Sequence, residues 1–267
     1  MDTWLEVAHQ LPFGHKKRIR HDCSESRDLL VSHGENGYSA YCFRCGNVGF
    51  EGFGYRNLAE LERIKQLNDT VEVHTRELPE DFTLHIPDVH TTWLSSAGIS
   101  AVRAQRLGIG WSDKLQRVVL PIYDGFGKIL YWQARAVREG HKPKYSNPAV
   151  SKSDLLYWQS PNESKDLVVV TEDILSAIRI GKHVCAASIL GTKTSDSQAS
   201  QLSAFKEVVY WLDPDDAGYE GARVGCRKLG LVTRTREIRS EADPKNLSDG
   251  RIRELLGLPA NERYAIC

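Results

Sequence analysis

No run of about 18 apolar residues occurs anywhere in the 267-residue chain, so no segment reads as a membrane-spanning helix. The N-terminal stretch MDTWLEVAHQLPFGHKKRIRH lacks the apolar centre of a secretory signal, and a cytoplasmic location is expected. Net charge is missing too: 35 Lys and Arg balance 35 Asp and Glu, which excludes a polycation that holds nucleic acid by overall charge alone. There is no internal repeat and no low-complexity tract, which excludes solenoids and disordered tails. Cysteine is sparse. With six cysteines and no export signal, a close-set pair reads as a metal site and not as a disulfide. What remains is an ordinary globular composition, 41% apolar and 26% charged, with length for about two domains.

Texture divides the chain into four parts. Residues 1–55 are rich in His, Cys, Gly and aromatics, with short strand-like pieces. Residues 56–85 form a connecting segment: Leu58, Leu61, Ile64 and Leu67 predict an amphipathic helix over 57–67, followed by a proline-bearing linker. In 86–165 a helical stretch over 90–110, broken at Gly98, precedes two strand-like runs around the turn Asp124-Gly125-Phe126-Gly127. From 166 to the end, LVVVTE, HVCAASIL and EVVYWLD alternate with helical segments. Such alternation predicts a mainly parallel sheet flanked by helices, with its chemistry at the carboxyl ends of the strands. The expected class is therefore α/β in the last part and α+β overall.

Cys42-Phe43-Arg44-Cys45-Gly46 has the shape of a zinc knuckle, and tetrahedral coordination needs two more ligands. Cys23 is the nearest further cysteine; Cys185, Cys226 and Cys267 read as bystanders. His21 and His33 compete for the fourth place. LLVSH and YSAYC flank the turn 34–37, so His33 sits at the turn and Cys42 about four residues away along the hairpin. At ~3.4 Å per residue that is roughly 13 Å, too far for a shared ion with ligand bonds of ~2.0–2.3 Å. His21 is the expected ligand.

Charge is segregated despite the overall balance. Between 103 and 144, Arg103, Arg106, Lys114, Arg117, Lys128, Arg135, Arg138, Lys142 and Lys144 face only Asp113, Asp124 and Glu139. This stretch could follow a phosphate backbone, with Trp132 and Tyr145 as stacking candidates. Farther on, Glu172 ends one predicted strand, Asp213-Pro214-Asp215 ends another, and Asp243 follows a fourth. Carboxylates gathered this way repel one another unless a cation joins them, and hard oxygen ligands suit magnesium or manganese. Asp215 or Asp216 is expected to cap the helix that follows, with Asp216 favoured.

VVVTEDILSAI, YWLDPDDAG and ADPKNLSD together resemble the Toprim fold of bacterial-type primases and topoisomerases. The preceding RVVLPIYDGFGKILYWQARAV and KPKYSNP resemble the basic subdomain ahead of Toprim in primases. The zinc ribbon ending CFRCG likewise resembles that of primases, including the small separate primases of tailed bacteriophages. The resemblance implies a DNA-dependent primase that makes short RNA primers. Its partners would be a single-stranded DNA template, ribonucleoside triphosphates and a replicative helicase supplied in trans. Glu172, Asp213, Asp215 and Asp243 would be catalytic, with Glu172, Asp213 and Asp215 holding magnesium; His21, Cys23, Cys42 and Cys45 would hold zinc. Arg103, Arg117, Arg135, Lys142, Lys144, Tyr41, Phe43 and Arg44 would contact template or nucleotide. Two positions depart from the family pattern: Asp173 stands where a glycine is usual, and Ser176 where an aspartate is usual. A Toprim nuclease and a non-catalytic single-strand-binding module that recruits a helicase are the alternatives.

Overall fold

Three sheets follow one another along the chain, and the connectivity changes where the texture of the sequence changes. The computed structural model describes residues 4–34, 37–54, 77–138, 140–148 and 150–259; the helix expected over 57–67 lies outside them.

The first sheet is an antiparallel meander of β1 (Lys16–His21), β2 (Ser24–His33), β3 (Gly37–Cys42) and β4 (Val48–Gly52), with the short helix α1 (Trp4–His9) against it. Alternation puts one face inside. Leu29 pairs with Cys42 and Val31 with Ala40, and these four join Ala8 in a small core. So small a core buries little apolar surface, and structures of this kind are commonly stapled by a metal.

In the next part the helical reading over 90–110 resolves into α2 (Asp88–Ser96) and α3 (Ala101–Arg106). Gly98 takes φ +69° between them, a left-handed conformation suited to glycine, and the Ser100 hydroxyl caps α3 by accepting from the Arg103 amide. An antiparallel sheet follows: β5 (Gly110–Ser112), β6 (Arg117–Tyr123), β7 (Ile129–Arg135) and β8 (Tyr145–Ser146). Its central hairpin turns at Asp124, whose Oδ1 accepts from the amides of Phe126 and Lys128.

The third sheet has the order β13-β12-β10-β11-β9. Its strands are β9 (Tyr157–Gln159), β10 (Leu167–Thr171), β11 (Cys185–Ser188), β12 (Glu207–Tyr210) and β13 (Arg234–Glu237). Only β9 runs antiparallel to its neighbour. The helices α4 (Ile174–Ile180), α5 (Asp196–Leu202) and α6 (Asp216–Leu229) connect the parallel strands, and α7 (Asp249–Leu256) closes the described chain. Val169 and Val209 pack into one core while Val168, Val170, Val208 and Tyr210 pack into another, so both faces are covered and the strands read as unbroken apolar runs. The first of these cores also contains Trp111, Val118, Leu120 and Ile122, joining the second sheet to the third. From β10 the chain crosses to β11 on one side, and then to β12 on the other. The crevice at the carboxyl ends of β10 and β12 is therefore a topological switch point, where open α/β sheets bind ligands.

Candidate active site

Glu172 leaves β10 directly into that crevice. The ladder of β12 stops at Tyr210, but buried Trp211 and Leu212 carry the chain on to Asp213, and the Trp211 amide still donates to Val170. Glu172 and Asp213 thus stand on neighbouring strands of one parallel sheet. Glu172 Oε2 and Asp213 Oδ1 are buried without a hydrogen-bond partner. Burial, followed by the charges of Asp213, Asp215 and Asp173, pushes the Glu172 carboxyl up to about 7. Burial raises Asp213 as well, to about 6, with Asp173, Asp243 and Asp215 adding to it against the opposing pull of Lys245. Orphaned buried oxygens on carboxyls that resist ionisation are what a divalent cation would relieve, so the donor set fits a magnesium-class ion.

The remaining acids are already engaged. Asp215 caps α6, its Oδ1 accepting from the Gly218 amide at 2.7 Å. Of the two candidate caps the structure selects Asp215; Asp216, the favoured one, is the first residue of the helix and not its cap. Asp173 caps α4 through the amides of Leu175 and Ser176, and its other oxygen accepts from the Ser176 hydroxyl and from Lys245 Nζ. The two departures from the family pattern therefore bond to each other. Lys245 also lies 2.7 Å from Asp243 Oδ2 and 3.7 Å from Asp213 Oδ2. Burial alone would lower its pKa; these carboxylates outweigh that and raise it. The sequence reading missed Lys245, although Asp243-Pro244-Lys245 repeats the spacing of Asp213-Pro214-Asp215.

In the first sheet, His21, Cys23, Cys42 and Cys45 present ligand atoms that all lie within 4.8 Å of one another. Among the described residues no other group of His, Cys, Asp and Glu converges so closely. His21 Nδ1 is 3.1 Å from Cys23 Sγ and 3.5 Å from Cys45 Sγ, and Cys23 and Cys42 sulfurs are 3.5 Å apart. The knuckle is shaped by Gly46 at φ +74°, its amide donating to the Cys42 carbonyl. The amide of Cys45, seconded by that of Arg44, lowers the Cys42 thiol to about 6, whereas burial and the two neighbouring thiols push Cys23 up to about 12. Three thiols this close cannot all ionise unaided; three sulfurs with one imidazole form a ligand set suited to zinc. His33 is placed elsewhere, opposite Tyr38 at the turn end of β2, with Nδ1 2.6 Å from the Leu11 carbonyl oxygen and its ring against Phe13, Tyr38 and Phe53.

The basic residues fare unevenly. Arg117 is 6% exposed, with its guanidinium donating to the Leu115 and Pro143 carbonyls. It anchors the segment that carries Lys142 and Lys144, and its burial leaves little of it open to a template or nucleotide. Arg103 is likewise turned inward and donates to the Ile178 carbonyl, which ties α3 to α4. Trp132, expected to stack, is buried and donates to the Glu77 carbonyl. Arg135 lies over the rings of Tyr145 and Trp93, at 4.9 and 5.4 Å, and donates to the Tyr145 hydroxyl. Arg135 and Trp93, with exposed Lys142 and Lys144, line a cavity of about 390 Å³. Trp93 gave no sequence signal, lying 42 residues before its partner. On the ribbon, Tyr41 and Phe43 are exposed and meet edge to face, with Arg18 over Phe43 and Arg44 beside them on the surface.

Residues 170–248 match the Toprim-like family model. The chain is 28% identical over 127 residues to a DNA primase of Geobacillus stearothermophilus, covering 43% of this chain and 21% of that protein. A DNA primase of Legionella pneumophila is also 28% identical, over 117 residues. The match spans about a fifth of the length of these curated relatives. The zinc-binding and RNA polymerase domains of the Aquifex aeolicus primase superpose with a TM-score of 0.55 at 17% identity, over 91% of this chain and 78% of that one. A DnaG primase catalytic domain bound to single-stranded DNA gives 0.52 at 19%, over 72% and 75%. The chain has a primase fold. Within that fold, the switch-point carboxylates fall inside the Toprim-like segment and the His/Cys quartet lies before it.

Proposed function

We propose that the chain is a DNA-dependent primase that joins ribonucleotides into short RNA primers on a single-stranded DNA template. The observation that carries this reading is the pair of buried, unpartnered oxygens of Glu172 and Asp213 at the switch point of the sheet. In the proposed division, residues 1–55 are a zinc-binding ribbon, 56–85 a connector, 86–165 a basic subdomain and 166–267 the catalytic Toprim domain. Glu172, Asp213 and Asp215 would hold a magnesium or manganese ion, which would supply charge for the transferring phosphoryl group and an activated attacking hydroxyl. Asp243 completes the catalytic set by fixing Lys245.

The chain's own groups do the positioning. Arg135, braced between Trp93 and Tyr145, presents a planar cation toward the cavity shared with Lys142 and Lys144. Phosphate oxygens of the template or of a ribonucleoside triphosphate suit that lining. Tyr41 and Phe43 offer exposed ring faces to unstacked template bases, with Arg44 nearby for a phosphate. His21, Cys23, Cys42 and Cys45 hold the zinc that fixes this surface. A replicative helicase would act in trans, in the cytoplasm. No helix among the described residues is long and apolar enough to cross a membrane.

The test is incubation with single-stranded DNA, labelled ribonucleotides and magnesium. Short RNA oligomers are the expected product. Cleaved DNA would replace this reading with a nuclease, and binding without either product would leave a recruiting module.

A further inference from the structure

Lys245 enters the carboxylate cluster as a fixed cation. Its ammonium lies 2.7 Å from Asp243 Oδ2, 2.9 Å from Asp173 Oδ2 and 3.7 Å from Asp213 Oδ2, and its side chain is 13% exposed. The backbone holds it there. Residues Pro244–Asn246 form a single 3-10 turn, with the Asn246 amide donating to the Asp243 carbonyl, and the next carbonyl, Leu247, accepts from Arg179 on α4. Lys245 is therefore no surface chain that has swung inward.

Its presence divides the acids into two groups. Asp173 is saturated, with donors on both oxygens, and Asp243 Oδ2 and Asp213 Oδ2 face the ammonium. Glu172 Oε2 and Asp213 Oδ1 lack partners. A three-donor ammonium can join three carboxylates by charge and hydrogen bonds, but it brings no exchangeable coordination site and cannot activate a hydroxyl as a metal does. The half it occupies can be spaced and neutralised, and the chemistry is left to the other half.

We propose that Lys245 is a built-in substitute for a divalent ion. It bridges Asp173, Asp213 and Asp243, so that the cluster takes one catalytic metal, on Glu172, Asp213 and Asp215, instead of two. The inference rests on reading the cluster as a metal-dependent centre. It makes Lys245 a positioning residue, whose removal changes how many ions bind and not only how fast the reaction runs.

Manganese is the probe, because bound and free Mn²⁺ separate in electron paramagnetic resonance. The full-length chain, with its ribbon loaded with zinc, is titrated. One Mn²⁺ per chain is expected for the unaltered protein, two for Lys245→Met, and one for Lys245→Arg, which keeps the charge. Two or more sites in the unaltered protein overturn the inference whether or not Lys245→Met folds. One site in a folded Lys245→Met, even a tighter one, also overturns it. No Mn²⁺ in the unaltered protein removes the metal-dependent reading itself, and this inference with it. One site lost on Asp213→Asn keeps the metal-dependent reading whatever Lys245 does.

Discussion

The ribbon gathers four ligands around one point, whereas the parallel sheet spreads Glu172, Asp173, Asp213, Asp215 and Asp243 around a lysine. In the ribbon every member of the quartet faces the others, and the surrounding core is only a handful of side chains. A metal there would hold the fold. In the sheet, helix caps and Lys245 already use much of the carboxylate capacity, and the cores on either face hold the fold without help. A metal there would serve chemistry. The contrast teaches that the demand for a cation is read from oxygens and sulfurs left without partners, and not from the number of acidic or thiol groups nearby.

The largest way to break the contrast is to strip each centre in turn. Cys42→Ser, or a zinc chelator, should unfold the ribbon and lower its melting by many degrees while the parallel sheet stays folded, because structural zinc supplies folding free energy directly. Circular dichroism with zinc analysis separates the two. His21→Ala should lose zinc, and His33→Ala should keep it while loosening the packing against Leu11 and Tyr38.

Acid should act on the sheet centre more than on its fold. Glu172 and Asp213, raised to about 7 and about 6, hold protons that an incoming cation must displace. Their affinity for Mn²⁺ should therefore fall as pH drops from about 8 to about 6, and proton release on binding should be largest within that window. Calorimetry in buffers of different ionisation enthalpy measures that release. A pH-independent affinity would place the ion on other groups.

A smaller effect is expected in the basic cavity. Replacing Lys142 and Lys144 by Ala should leave zinc in place and weaken single-strand binding. The salt slope should drop by about 1.4, at ~0.7 for each phosphate contact. An unchanged slope with lost synthesis would assign both lysines to the nucleotide triphosphate.

Much of this was legible in the sequence, for reasons that also mark where it stopped. Strands buried on both faces are unbroken apolar runs, so LVVVTE and EVVYWLD announced themselves, and strand ends named Glu172 and Asp213. Hairpin spacing separated His33 from Cys42. Burial of a charged residue leaves no such trace: Arg117 begins a strand and looks exposed, but two backbone carbonyls draw it inside. Lys245 and Trp93 act on groups distant in sequence, and only the folded chain brings them there.

The most direct test of the central claim compares primer synthesis by Asp213→Asn and Asp216→Asn at saturating magnesium. Asp213 stands at the switch point with an orphaned oxygen, while Asp216 is exposed in the first turn of α6. Several kcal/mol of charge stabilisation corresponds to roughly 100- to 1,000-fold in rate. Asp213→Asn should lose about that much while still binding single-stranded DNA, and Asp216→Asn should stay close to the unaltered chain. Equal losses in the two variants, or no loss in either, would contradict the assignment of the catalytic centre.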